Sequence, residues 1–313
     1  MIGIAGAGAF GTALAVALAT DGRRIALWGR DPGLRSDRRS ARLPSVLLPV
    51  GIDLPENVSD LAETAIVLLA LPMQKLRGFL AGDGAALLGN DLVACCKGID
   101  LTSLQGPAEV LAEAGARGSI GVLTGPSFAA DIAQGLPTAL TLACADARGE
   151  YLQAELSTSS LRLYRTDDVV GAELGGALKN VIAIAAGVVV GAGLGESARA
   201  ALVTRGYAEM QRFALALGAR AETLSGLSGL GDLILTCTSP QSRNFALGMA
   251  LGAGNPPQRA TVEGVATARA VVRIAVEKGI DMPISSMVAR LVGTEVSVAE
   301  AVRELMTRPL KQE

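Results

Sequence analysis

Histidine is absent from this chain, and its four cysteines, Cys95, Cys96, Cys144 and Cys237, show no CxxC spacing. Both facts argue against a structural zinc site, and no metal is expected. Cys95 and Cys96 are adjacent within an apolar run and read as small core residues whose thiols suit a reducing cytoplasm. Aromatics are scarce at 3%, although half of the residues are apolar. Alanine, glycine, leucine and valine dominate, and such small side chains let helices pack closely on a sheet, which favours α/β or α over a β sandwich. Charge of one sign is lacking too, the formal net charge being −2. The basic stretch Arg35, Arg38, Arg39 and Arg42 is short and has no interleaved aromatics, so nucleic-acid binding is not expected. The longest weakly charged stretch, Val181 to Gly195, is broken by Gly187, Gly191 and Gly193 and falls short of the ~20 apolar residues of a membrane span. It reads as a buried helix and its turn. No basic segment precedes an apolar one at the start, so export is not indicated and a cytoplasmic location is expected.

What is present divides into two halves, as 313 residues would predict. Ile2 to Ala5 is a short apolar run ending in Gly6, Gly8 and Gly11, after which Ala13, Leu14, Ala17 and Leu18 recur at helical spacing. A second run, Ile25 to Trp28, completes a βαβ unit. Further runs at 65–71, 92–96, 120–123 and 139–143 alternate with helical or turn-rich segments, the pattern of a doubly wound, mostly parallel sheet. From about Asp168 the pattern becomes helical, over 173–190, 198–217 and 262–278, with no strand after it. The expectation is a Rossmann-type α/β domain over residues 1–169 and an all-helical domain over 170–313. The tail from Arg308 looks frayed.

Gly6-Ala7-Gly8-Ala9-Phe10-Gly11 has GxGxxG spacing between a strand and a helix, the context that turns a weak motif into a dinucleotide site. Gly6 permits the tight turn, Gly8 lets the backbone approach a diphosphate, and Gly11 lets helix and strand pack. The second strand ends Trp28-Gly29-Arg30-Asp31. Arg30 can pair with a 2′-phosphate, whereas Asp31 lies one step further on and is equally suited to capping the next helix. NADP is therefore modestly favoured over NAD.

Eight further motifs follow in order: 71–77 (Leu-Pro-Met-Gln-Lys-Leu-Arg), 97–100 (Lys-Gly-Ile-Asp), 124–129 (Thr-Gly-Pro-Ser-Phe-Ala), 178–180 (Leu-Lys-Asn), 204–206 (Thr-Arg-Gly), 229–232 (Gly-Leu-Gly-Asp), 242–244 (Ser-Arg-Asn) and 262–264 (Val-Glu-Gly). Lys179 is unusual in its own right, as the only charged residue between Glu173 and Glu196; an amine desolvated on an apolar helix has a lowered pKa. Lys97 follows an apolar run and should emerge at the carboxyl end of a strand, where open α/β sheets bind ligands. Taken together, the motifs resemble those of bacterial NAD(P)-dependent glycerol-3-phosphate dehydrogenases across nearly the whole chain. The segment from Arg42 to Pro55 departs from that pattern, carrying three prolines and lacking the aromatic associated with this loop.

The resemblance implies reversible NAD(P)H-dependent reduction of dihydroxyacetone phosphate to sn-glycerol 3-phosphate, feeding glycerophospholipid synthesis. It implies Lys179 as the proton-transferring residue, with Lys97 beside it. Substrate contacts fall to Lys97, Gly125, Ser127, Lys179, Asp232, Ser242, Arg243 and Asn244. Cofactor contacts fall to Gly6, Gly8, Ala9, Phe10, Gly11, Arg30, Lys97, Ala129, Arg243 and Glu263. The chemistry of these groups permits the assignment: an arginine fork can bind a phosphate bidentately, and Asp232 can accept from a hydroxyl or cap a helix. The alternatives are a related two-domain hydroxy acid dehydrogenase, which would need a carboxylate clamp, and a dinucleotide sensor without turnover. The partner expected is a small phosphorylated molecule, and a homodimer is compatible with the sequence.

Overall fold

Eight strands form one sheet in the order β3-β2-β1-β4-β5-β6-β7-β8. They are β1 (Ile2–Ala5), β2 (Ile25–Trp28), β3 (Ile52–Asp53), β4 (Ile66–Leu69), β5 (Asp91–Ala94), β6 (Ile120–Thr124), β7 (Thr138–Cys144) and β8 (Leu161–Thr166). The computed structural model describes residues 1–255 and 262–307; the tail from Arg308 expected to fray lies outside the described residues. β1 to β6 run parallel, β7 pairs antiparallel with β6, and β8 runs parallel to β7. The central strands are buried along their length, as strands covered by helices on both faces must be. The chain order reverses beside β1, between β2 on one side and β4 on the other, which opens a crevice at the carboxyl ends of those strands.

Six helices accompany the sheet: α1 (Ala9–Thr20), α2 (Gly33–Ser36), α3 (Met73–Ala81), α4 (Pro107–Glu113), α5 (Ala129–Ala133) and α6 (Gly149–Leu156). Eight more described helices follow: α7 (Val169–Gly191), α8 (Glu196–Ala216), α9 (Ala221–Ser225), α10 (Asp232–Thr238), α11 (Arg243–Gly252), α12 (Glu263–Lys278), α13 (Pro283–Val292) and α14 (Val298–Met306). The observed architecture is the expected one, a mostly parallel doubly wound sheet followed by a helical half. Two strands were not anticipated. β3 is only two residues long, and β8 has the buried-exposed alternation of an edge strand, LRLYRT, whose arginines hide its apolar pattern.

α7 organises the helical half. It is long and apolar enough to cross a membrane, yet 89% of its most apolar window is buried inside the protein, against α8, α10, α11, α12 and α13. Its entry is capped by Asp168, whose Oδ1 accepts from the Gly171 N–H at 2.8 Å. The glycines that break its apolar run let α11 come close. A Cβ on Gly187 or Gly191 would overlap the Phe245 and Met249 carbonyls, and one on Gly248 or Gly252 of α11 would overlap those of Ile184 and Val188. Backbone therefore meets backbone along this pair, which docks α11, with Arg243 exposed at its start, on the helix that carries Lys179.

Candidate active site

The glycine loop sits at the carboxyl end of β1. Gly6 has φ +116°, a left-handed conformation that side chains disfavour, and a Cβ there would overlap the Ala70 carbonyl. Gly11 is equally constrained, since its Cβ would overlap the carbonyl of Gly6. Gly8 is extended and faces open space. α1 begins at the next residue with neither a capping side chain nor an acid in its first turn, so its uncapped N–H groups and positive dipole end are left for an anion. This donor set fits the diphosphate of a dinucleotide. Phe10 and Ala129 border one small apolar cluster, formed by Ala13, Ala17, Leu43 and Ile132, which puts the start of α5 beside the loop. Arg30 is exposed at the end of β2. Asp31, suited by sequence to capping the next helix, is not the N-cap of α2, which is Pro32; its Oδ1 accepts from the Gly33 N–H at 3.1 Å, while Oδ2 accepts from the Ala41 N–H at 2.9 Å.

The titratable centre lies where the sheet meets α7 and α10. Lys97 follows β5 after two further residues, and Gly125 directly follows β6. The Lys97 Nζ donates to the Gly125 carbonyl at 3.1 Å and to Asp232 Oδ2 at 2.6 Å. Lys179, halfway along α7, places its Nζ 3.0 Å from Asp232 Oδ1 and donates to Thr236 Oγ1 at 2.7 Å. One carboxylate thus bridges two ammonium groups. Asp232 is 1% exposed and Lys179 7%. It does not cap α10: it is the helix's first residue, delivered by a wide π-type turn over Leu227–Gly231, and its Oδ1 accepts from the Thr236 hydroxyl one helical turn on, at 3.2 Å.

Burial sets the protonation chemistry here. It pushes the Lys179 ammonium below the ordinary lysine range; Asp232 partly opposes this and Lys97 reinforces it. At Asp232 burial acts upward, but the two lysines outweigh it and hold the carboxyl below its usual value. Glu263, at the start of α12, is raised by burial, with Arg243, Lys97 and Lys179 pulling the other way. It forms no ion pair with these cations within 4 Å among the described residues. Arg243 is exposed and has no partner there either. Ser127 donates its hydroxyl to the Gly125 carbonyl at 3.3 Å, beside Lys97.

Two expected site side chains make hydrogen bonds within the protein. Ser242 Oγ accepts from the Phe245 N–H at 3.3 Å and caps α11. Asn244 Nδ2 donates to Asn180 Oδ1 at 2.8 Å, and its Oδ1 accepts from the Gly264 N–H at 3.0 Å. Each residue in this buried relay directly follows a site residue: Asn180 follows Lys179, Asn244 follows Arg243, and Gly264 follows Glu263. Sequence reasoning also missed Thr236, for which the spacing of four from Asp232 on a helix was an available signal, and Thr124. The Thr124 hydroxyl is buried without a partner, and a Cβ on Gly176 would lie 2.6 Å from it and 3.4 Å from Lys97 Cγ.

The chain matches the model of the NAD-dependent glycerol-3-phosphate dehydrogenase N-terminus over residues 1–149 and that of the C-terminus over 168–303. It is 61% identical to a glycerol-3-phosphate dehydrogenase [NAD(P)+] of Cereibacter sphaeroides, covering 100% of both chains. It is 59% identical to one of Paracoccus denitrificans, covering 100% of this chain and 99% of that protein. The crystal structure of glycerol-3-phosphate dehydrogenase from Coxiella burnetii superposes with a TM-score of 0.93 at 33% identity, over 98% of each chain. On its fold, its site and these similarities, the chain belongs to the NAD-dependent glycerol-3-phosphate dehydrogenase family.

Proposed function

We propose that this protein reduces dihydroxyacetone phosphate reversibly to sn-glycerol 3-phosphate with NADPH or NADH, NADPH being preferred. The observation that carries the reading is the buried Lys179–Asp232–Lys97 cluster at the carboxyl ends of the strands. A bound nicotinamide supplies the hydride at C2. The work of the chain is to hold the carbonyl and manage the proton. Lys179 donates to the C2 oxygen as negative charge grows there, and its depressed pKa suits an amine that must give up a proton near neutrality. Asp232 fixes both ammonium groups while only partly neutralising them, so a net positive potential faces the oxygen. Arg243, exposed and unpaired, binds the substrate phosphate, and that remote binding energy orients C2.

Gly125 and Ser127 line the substrate beside Lys97. Ser242 and Asn244 serve the phosphate end through the cap and relay that hold Arg243, while Ala9, Phe10, Ala129 and Glu263 face the cofactor. Residues 1–169 thereby act as the cofactor unit and 170–313 as the substrate unit, in a cytoplasmic enzyme whose product supplies glycerophospholipid synthesis. The decisive experiment is spectrophotometric: NADPH oxidation on adding dihydroxyacetone phosphate, with a 2-keto acid as the competing substrate. Turnover of the keto acid instead would sink the phosphate reading.

A further inference from the structure

Five arginines lie between residues 30 and 42, and the structure sorts them into two kinds. Three are used within the protein. Arg35 donates to the Pro55 and Glu56 carbonyls, Arg38 to those of Leu48, Pro49 and Ile52, and Arg39 to that of Pro44. They hold a proline-bearing segment that has little regular structure of its own. Arg30 and Arg42 are different: both are exposed, and neither guanidinium has a hydrogen bond or ion pair among the described residues.

These two are also tied to one place. Ser40, 1% exposed, donates its hydroxyl to the Ala7 carbonyl in the glycine loop at 2.6 Å, and the Arg42 N–H donates back to that hydroxyl at 3.2 Å. The adjacent Ala41 N–H donates to Asp31, the residue after Arg30. Residues 40–42 therefore hang from the glycine loop on one side and from the end of β2 on the other. Gly29 closes the arrangement, because a Cβ there would overlap the Ala7 side chain. In such a fold the ribose next to the diphosphate falls at the end of β2. Both oxygens of Asp31 accept from backbone N–H groups, those of Gly33 and Ala41, which ties this acid to the loop backbone.

We propose that Arg42 joins Arg30 in holding the 2′-phosphate of NADPH, so that a pair of guanidinium groups on two separate segments sets the cofactor choice. A phosphate monoester carries close to two charges near neutral pH, and one arginine fork leaves oxygens and charge unmatched. A second fork from the opposite segment completes the set. The inference rests on the reading of the glycine loop as a dinucleotide site.

The test is calorimetric titration of the full-length protein with 2′,5′-ADP and with 5′-AMP, which differ only in the 2′-phosphate, for wild type, Arg30→Ala and Arg42→Ala. Arg42→Ala should weaken 2′,5′-ADP about tenfold or more, the loss of a charge-assisted contact, and leave 5′-AMP within about twofold. The ratio of NADPH to NADH catalytic efficiency should fall in parallel. Equal weakening of both fragments, or none, overturns the role of Arg42. If Arg30→Ala alone is selective, single-arginine recognition of NADP stands and the pair is refuted. If wild type does not distinguish the two fragments yet reduces dihydroxyacetone phosphate with NADH, the phosphate pair falls while the dehydrogenase reading survives.

Discussion

The buried centre of the site and its rim are built on opposite principles. At the centre, Lys97, Lys179, Asp232 and Thr236 satisfy one another at 2.6 to 3.2 Å, and Asp232 and Lys179 are almost fully withdrawn from water. At the rim, Arg30, Arg42 and Arg243 are exposed and unpaired among the described residues. On the proposed reading, the groups that act on a reacting oxygen are desolvated and locked in place beforehand, because electrostatic stabilisation is strongest where nothing has to reorganise. On the same reading, the groups that capture a phosphate remain in solvent, where a charge is inexpensive to maintain until its partner arrives.

The sharpest way to break this comparison is to remove the charge at the centre. Lys179→Met retains the approximate length of the stem on the apolar α7 and should fold and bind NADPH by fluorescence titration. Its reduction of dihydroxyacetone phosphate should fall by at least a hundredfold, about the lower end of what general acid catalysis contributes. If most turnover persists, the proton comes from elsewhere, and Lys97 is the next candidate.

Asp232→Asn tests whether the centre is a coupled unit. Removing the carboxylate leaves two ammonium groups facing each other, which should cost stability of about 3 kcal/mol, as breaking a buried pair does. Because Asp232 opposes the lowering of the Lys179 pKa, its loss should lower that pKa further. The alkaline limb of the reduction, where Lys179 loses the proton it must donate, should then move to lower pH. An alkaline limb unmoved in Asp232→Asn would separate the two residues functionally.

Arg243→Lys probes the rim. The charge survives and the planar fork is lost, so roughly tenfold should appear in the KM for dihydroxyacetone phosphate, with a smaller change in kcat. A loss confined to kcat would place Arg243 with the centre instead.

The smallest effect concerns an acid remote from both. Glu209 on α8 is 1% exposed and accepts from the Ile284 and Ser285 N–H groups at the start of α13, at 2.9 and 3.0 Å. Burial raises its pKa from 4.5 to about 7 against those hydrogen bonds. A raised carboxyl favours the folded state fully below its unfolded value and loses that contribution as pH climbs from about 4.5 through about 7. Glu209→Gln should flatten this part of the melting-temperature profile by a few degrees and leave the alkaline limb of activity unchanged. Movement of that limb would mean it reports folding rather than Lys179.

The sequence was sufficient wherever the determinant is local. Gly6 to Gly11 between an apolar run and a helical one marks the cofactor crossover, because turn geometry and periodicity are properties of neighbouring residues. The uncharged surroundings of Lys179 announce its desolvation in the same way. β8 escaped because exposed arginines alternate with its buried leucines, and β3 because two residues carry no period. Only the tertiary structure decided which charges meet. Lys97 reaches Asp232 across 135 residues, and whether Ser242 and Asn244 face a ligand or a helix end depends on how α11 docks on α7. Ion pairs and buried amide relays are fixed by the packing of distant elements, and spacing along a chain carries no record of that packing.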